Sequence, residues 1–254
     1  MADVYENAFV VVAASMCTNP EESFLTPRPS WQCEPYAIAW DDSEDAAPLL
    51  YARKFPELGR HNDAEIGHRD PLELRAWAFQ EFQLASRCIN FTSEEIHWFC
   101  KQGQRCECMT AWGLPRVDLI TTEYWTNAVN EYTYRSLTFP EDKLPALSGV
   151  AAKYQRYHPG INYIAGIWND EELPYQLAWY TVPAGGPWSF PSSVKAALPA
   201  PLYRAPTFSW ASIDGATKWL PRRGQKTLND TRYFIEVLDL DCLAKSNNIF
   251  GEVS

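Results

Sequence analysis

The segment spanning residues 75–100 constrains the fold of this chain more than any other part of it. It reads RAWAFQEFQLASRCINFTSEEIHWFC. Leu74, Trp77, Glu81 and Leu84 recur at spacings of three and four, the period of a helix with one apolar face. The later runs CINFTS and EIHWFC are rich in the residue types that strands prefer. The segment therefore predicts a short helix that leads into a pair of strands.

Apolar patterns elsewhere predict further strands and helices. The run FVVVAAS predicts a buried strand, YAIAW a short strand and LLYARKF a further strand. Helical spacing predicts helices over residues 119–135 and 142–154, and a third near residues 161–168. SWASI and TRYFIEVLDLDC predict strands near the end of the sequence. We therefore expect an α+β or α/β fold with a mixed sheet, a helical middle and a β-rich C-terminal part.

The predicted helix and strand pair also carry a recognisable motif. Its pattern, R-x-W-x-x-Q-E-x-x-L-x-x-R, resembles the core of the fungal heterokaryon-incompatibility (HET) domain. Four further segments agree with that family in order: DVYENAFVVVAAS, WTNAVNEYTYRSLTFPEDKLPALSGVA, YIAGIWNDEELPYQLAWY and YRAPTFSWASIDG. The residues that carry the motif are Arg75, Trp77, Gln80, Glu81, Leu84 and Arg87, followed by Trp98 and Cys100.

The resemblance also implies a division of the chain. The family's upstream patterns, L-S-Y-x-W-G and W-I-D-x-L-C-I-x-Q, do not occur here, so we expect a fragment or shortened product. Residues 1–115 would be the C-terminal half of a HET-like domain, 116–182 a helical region and 183–254 a β-rich region, all within one continuous body. The flank of FVVVAAS would then be exposed, because the absent half normally packs there.

In function, the resemblance implies a module of non-self recognition and programmed cell death that acts through a protein partner or self-association. HET domains are also distantly similar to TIR domains, some of which hydrolyse NAD with a glutamate. The matching residues would lie in the upstream half, so we expect no NAD hydrolysis, and Glu81 does not inherit that role. The alternative is an enzyme of fungal metabolism that reuses the scaffold and binds a small molecule. A closed apolar pocket around a candidate catalytic residue would favour that alternative.

Charge and composition narrow the classes of partner and location. The net charge of −10 has the wrong sign for binding a phosphate backbone, so we expect no nucleic-acid partner. No run approaches about 18 apolar residues and the acidic start is unlike a signal peptide, which predicts a cytoplasmic protein without a membrane span. Neither G-x-G-x-x-G nor a P-loop pattern occurs, and no cofactor is predicted.

Three residues are candidates for acid–base chemistry: Glu81, His97 and Asp214. Glu81 shares a helix face with apolar residues, and burial there requires a partner such as Arg75 or Arg87. A structural ion pair would give the same pattern. Asp214 precedes Gly215 at a predicted hairpin turn, which is equally typical of a structural strand end.

Cysteine and tryptophan leave two further alternatives open. His97, Cys100, Cys106 and Cys108 form a possible zinc set, but their spacing is unlike that of paired zinc ligands, so no metal is predicted. The odd total of seven cysteines favours reduced thiols. The tryptophans could line a pocket for a planar ligand or, as is more usual, form the core: Trp77, Trp98, Trp112, Trp125, Trp168, Trp179 and Trp210.

Overall fold

The structure is a computed structural model of the chain. The structure describes residues 1–27, 36–38, 50–52, 70–107, 122–183, 197–220, 237–240, 242–244 and 248–253. The chain forms two compact units. Unit 1 comprises residues 1–5, 74–84 and 117–254, and unit 2 comprises residues 6–73 and 85–116. The three-part division into residues 1–115, 116–182 and 183–254 stays a prediction.

Unit 2 contains a mixed sheet of four strands. The strands of this unit are β1 (Val11–Ala14), β2 (Tyr36–Ile38), β3 (Leu50–Ala52), β4 (Arg87–Phe91), β5 (Ile96–Cys100) and β6 (Gly103–Cys106). The order in the sheet is β1-β4-β5-β6, with β1 parallel to β4 and the other pairs antiparallel. β2 and β3 form a separate antiparallel pair. The predicted pair of strands after the motif is therefore confirmed as β4 and β5.

The helices confirm the α+β class and the helical middle. They are α1 (Ala2–Asn7), α2 (Ala76–Leu84), α3 (Thr122–Thr133), α4 (Ser148–Tyr157) and α5 (Leu173–Gln176). The helix predicted over residues 142–154 begins only at Ser148. Pro140 and Pro145 each open a 3-10 turn before it, because proline suits the first turn of a helix but not its interior. Among the described residues, no helix is long and apolar enough to cross a membrane.

The helix predicted near residues 161–168 was wrong. That segment forms an antiparallel hairpin of β7 (Asn162–Ile164) and β8 (Ile167–Asn169). Ala165 and Gly166 connect the strands with φ of 48° and 96°. Two successive residues with positive φ make the turn that suits the twist of a two-residue hairpin, whereas a right-handed helix excludes them. Helical spacing in so short an apolar run could not reveal this choice.

The core of unit 1 surrounds three tryptophans. Trp125, Trp168 and Trp210 are each at most 1% exposed, so for these three the expectation of a core position is confirmed. The indole N–H groups of Trp125 and Trp210 both donate to the carbonyl oxygen of Gly166, at 3.0 and 2.9 Å. The turn of the hairpin is therefore anchored inside the core. Other fully buried side chains of this core are Phe79, Tyr132, Leu144, Leu147, Val150 and Tyr154.

Toward the C-terminus, the strands are short. They are β9 (Tyr180–Thr181), β10 (Leu198–Pro199), β11 (Ile213–Asp214) and β12 (Thr217–Lys218), paired antiparallel as β9 with β12 and β10 with β11. The predicted strand SWASI is instead a 3-10 turn at Trp210–Ser212, capped by the Ser209 hydroxyl, before β11 begins. In the run TRYFIEVLDLDC, residues 237–240 form no strand, and residues 231–236 lie outside the described part of the chain.

Candidate functional site

The first candidate, Glu81, is half-buried on α2 and bonded to a tyrosine. Its carboxylate accepts a hydrogen bond from the Tyr5 hydroxyl. Burial, with the bond and the charge of Glu81, raises the pKa of Tyr5 to about 12. Neither expected arginine takes this place: Arg75 is exposed, and the Arg87 guanidinium donates to the carbonyl oxygen of Phe9 at 3.2 Å. Glu81 thus joins α1 to α2, which is a structural role.

Other motif residues on α2 also make structural contacts. Gln80 is buried, and its Oε1 accepts from the backbone N–H of Gly149 at 2.6 Å. A Cβ at position 149 would lie 2.7 Å from that oxygen, so only glycine permits the bond. The Trp77 indole donates to Asp142 at 3.1 Å, and Leu84 is 1% exposed. The helical half of the motif therefore packs α2 into the core of unit 1.

Asp214 lies at the end of β11, beside a buried arginine. Arg204 donates to Asp214 Oδ1 at 2.7 Å, and its remaining donors reach main-chain carbonyl oxygens of Ala211, Pro140 and Ile213 at 2.7 to 3.0 Å. This arrangement uses each nitrogen of the guanidinium. Arg204 therefore connects two segments of backbone, around Pro140 and at Ala211–Ile213, and Asp214 serves as its counter-ion.

A buried lysine shares this cluster. Lys143 is 5% exposed, and its Nζ donates to the Ile213 carbonyl oxygen at 2.7 Å. Burial, and then the charge of Arg204, lower the pKa of Lys143 from 10.5 to about 7, while Asp214 acts in the opposite sense. The amine is thus poised to lose its proton near neutral pH. No pattern in the sequence distinguishes Lys143 or Arg204 from surface cations, and we did not predict either.

The third candidate, His97, lies on the buried face of the sheet in unit 2. Its Nε2 is 3.5 Å from the carboxylate of Glu95, which is fully buried. In the β4–β5 register His97 is opposite Asn90, whose amide donates to Glu73 Oε1 at 3.1 Å. Glu73 is 3% exposed. His97 therefore lies in a buried polar cluster of this sheet, together with Glu95, Asn90 and Glu73.

Part of this polar cluster could have been found from the sequence. In CINFTS, Cys88 and Asn90 share one face of a strand because side chains alternate. A polar residue beside the buried Cys88 signals that this face contains polar partners. Glu95 follows the acidic Glu94, and Glu73 lies between Leu72 and Leu74 in the run PLELR. We did not predict either residue.

The possible zinc set does not assemble in the described part of the chain. Cys106 is disulfide-bonded, which corrects the expectation of reduced thiols at this position. His97 and Cys100 stand three residues apart on β5 and so belong to opposite faces. Cys108 lies outside the described residues. Among those described, no group of three or more His, Cys, Asp or Glu side chains could hold a metal ion.

The opposite face of the sheet is partly open and carries a row of apolar residues that continues to Arg105 on β6. The register aligns Val12, Ile89 and Trp98 in one row across β1, β4 and β5. Val12 is 53% exposed, and Ile89 and Trp98 are half-buried. In the next row the ring of Phe24 lies 4.8 Å from that of Phe91 and covers it.

The edge of this face carries an exposed aromatic ring. Phe9, just before β1, is 81% exposed. Arg87 lies 5.1 Å from the centre of the Phe9 ring and also donates to the Phe9 carbonyl oxygen. This last arginine of the motif therefore holds Phe9 in place. We name Phe9, Val12, Ile89 and Trp98 the apolar sheet surface.

Comparisons with protein-family models, with curated proteins and with the solved structures give no match.

Proposed function

We propose that this chain is a HET-type protein-interaction module, which serves fungal non-self recognition and programmed cell death and binds its partner through the apolar sheet surface. The observation that carries the proposal is the exposure of Val12 on a strand at the edge of the sheet and of Phe9 just before that strand. An exposed edge that is apolar favours pairing with another chain, and soluble proteins usually protect such edges with charge or proline.

The composition of the surface also suits a protein partner. Aromatic and β-branched side chains form it, and two basic residues adjoin it: Arg87 at Phe9 and Arg105 opposite Trp98. Interface centres are enriched in aromatic residues and depleted in charged ones. The net charge of −10 disfavours a nucleic acid as the occupant.

Arg87 connects the HET-like motif with this surface. The cation held over the Phe9 ring reduces the freedom of an exposed side chain, so less entropy is lost when a partner covers it. Of the motif residues, Arg87 is thus the one with a direct link to binding, whereas Trp77, Gln80 and Leu84 support the core.

The candidate residues for the alternative enzyme function each have a different neighbour. Glu81 binds Tyr5, His97 contacts Glu95 and Asp214 binds Arg204. These bonds supply structural reasons for all three, so we make no proposal of a catalytic role.

Charge placed on the apolar sheet surface should abolish partner binding. We expect Phe9→Asp and Val12→Asp to weaken association at least about tenfold, because an unpaired carboxylate would be buried at the contact. The measurement is loss of cell viability on expression in a fungal host, together with affinity for any partner recovered by cross-linking. Leu202→Asp is the control, since Leu202 is 82% exposed and lies in unit 1. Equal behaviour of all three variants would contradict the proposal.

A further inference from the structure

One edge of β1 is open, and some of its backbone N–H and C=O groups point to that edge. The hydrogen bonds that β4 makes with its neighbours identify the β1 residues that carry these groups. The Thr92 N–H donates to Glu95 across the β4–β5 pair, so Thr92 and Asn90 face β5. Successive residues of a strand turn their N–H and C=O groups to opposite edges. Ile89 and Phe91 therefore face β1, and the bond from Met16 N–H to the Phe91 oxygen agrees with this.

The parallel register then identifies the outward residue of β1. Ile89 is aligned with Val12, and in a parallel ladder it bonds to the residues before and after its partner, Val11 and Ala13. The N–H and C=O groups of Val12 consequently face away from β4. No residue in the described part of the chain bonds to the main chain of Val12. The centre of β1 is thus ready to accept one more strand.

We propose that a second copy of this chain occupies that edge, with the two β1 strands antiparallel about a two-fold axis at Val12. The inference rests on the proposed function and extends it: the second copy pairs with the edge of β1, next to the apolar sheet surface. Val12 would exchange both of its main-chain bonds with Val12 of the second copy. Val10 and Ala14 would face each other across the same ladder, and Phe9 would cover the far end of the other strand.

Charge selects a second copy as the occupant. From Ala8 to Ser15 the sequence AFVVVAAS contains no charged residue and no proline. Antiparallel self-pairing of this run therefore opposes no like charges and meets no proline, which would lack a backbone N–H. The axis is perpendicular to the sheet, so the two apolar faces lie on one side and form a continuous surface. The net charge of −10 on each copy opposes association, so dimerisation should strengthen with added salt.

Substitutions at position 12 separate two contributions to dimerisation: the hydrogen bonds of the backbone and the burial of side chains. Proline at position 12 removes only the outward N–H, and proline is tolerated at such a position of an edge strand. We expect Val12→Pro to fold but to sediment as a monomer where the native chain is a dimer. Val12→Thr keeps the N–H and the branched Cβ and should still dimerise. Ala13→Pro removes a bond of the β1–β4 ladder and should lower the thermal stability instead.

Hydrogen exchange on the unmodified chain gives a second readout that does not depend on variants. Protection of the Val12 amide should increase with protein concentration, at least about tenfold over the dimerisation range, since that amide bonds only in the dimer. The amides of Val11 and Ala13 face β4 and should be protected at every concentration.

The outcomes distinguish this inference from the proposed function. A dimer that Val12→Pro leaves intact, or a Val12 amide whose exchange is independent of concentration, would overturn self-pairing through β1. If the native chain stays monomeric while Phe9→Asp still abolishes the cellular response, the second copy is wrong as partner and the apolar sheet surface keeps its proposed role. If neither assay responds, both fail.

Discussion

Replacing Gly166 by alanine should destabilise unit 1 by about 3–5 kcal/mol, the largest effect we expect from a single methyl group in this chain. A Cβ at this position would lie 2.7 Å from the Trp210 Nε1 atom. It would also require an alanine at a φ of +96°, which L-residues rarely adopt. The clash would displace the Trp210 indole. Its N–H, like that of Trp125, donates to the Gly166 carbonyl oxygen.

Gly160 provides a matched control for the strain that alanine suffers at a positive φ. Its φ of +92° is close to that of Gly166, but a Cβ there meets nothing within 4 Å. Gly160→Ala should therefore show only the conformational strain, about 1–2 kcal/mol. Urea unfolding followed by tryptophan fluorescence measures the free energy of unfolding of both variants, because the core of unit 1 contains buried indoles. Equal losses for the two variants would show that the contact with Trp210 contributes nothing.

The same turn shows why part of the fold could not be predicted from the sequence. The run YIAGIW has apolar residues at helical spacings, and nothing local indicates that Ala165 would take a positive φ. The choice is made by the core, which places the Gly166 carbonyl oxygen between two indole donors from distant parts of the chain. Sequence periodicity detects local preference, but tertiary contacts override it in short segments.

Secondary structure was predicted correctly where the sequence pattern was long or its ends were marked. The helix and strand pair of residues 75–100 gave α2, β4 and β5, because two different periods meet there with a clear boundary. The predicted strand FVVVAAS contains β1, but its burial was overestimated: Val12 is 53% exposed. An apolar run indicates a strand without showing which of its edges and faces are covered, and that depends on the neighbouring elements.

The candidate site was harder to predict from the sequence than the fold, for a related reason. Glu81 and Asp214 were singled out by residue type, and the structure bonds them to Tyr5 and Arg204, partners far from them in sequence. The proposed binding surface instead depends on Phe9 and Val12, ordinary apolar residues that become notable only through their exposure. Exposure is a property of the folded chain, so composition and motif could not reveal it.

The stability of the protein should rise between about pH 7 and 10.5, and Lys143→Met should remove this rise. The pKa of Lys143 is lowered from 10.5 to about 7 when the chain folds. Between those values the unfolded chain binds more protons than the folded chain, so the free energy of unfolding increases with pH, by up to about 1.4 kcal/mol per unit. Below about pH 7 the lysine is charged in both states and contributes no slope.

The Lys143→Met variant tests directly whether this lysine makes the free energy of unfolding rise with pH. Methionine keeps the length of the side chain and removes the amine. The Ile213 carbonyl oxygen still accepts from Arg204 at 2.9 Å, so no buried acceptor loses its last donor. We expect Lys143→Met to be at least as stable as the native chain at pH 7, with the difference shrinking toward pH 10. Urea unfolding at several pH values checks it, with the exposed Lys101→Met as control. Parallel pH profiles for the native chain and Lys143→Met would show that the amine of Lys143 stays charged in the folded protein, and that Asp214 then outweighs burial.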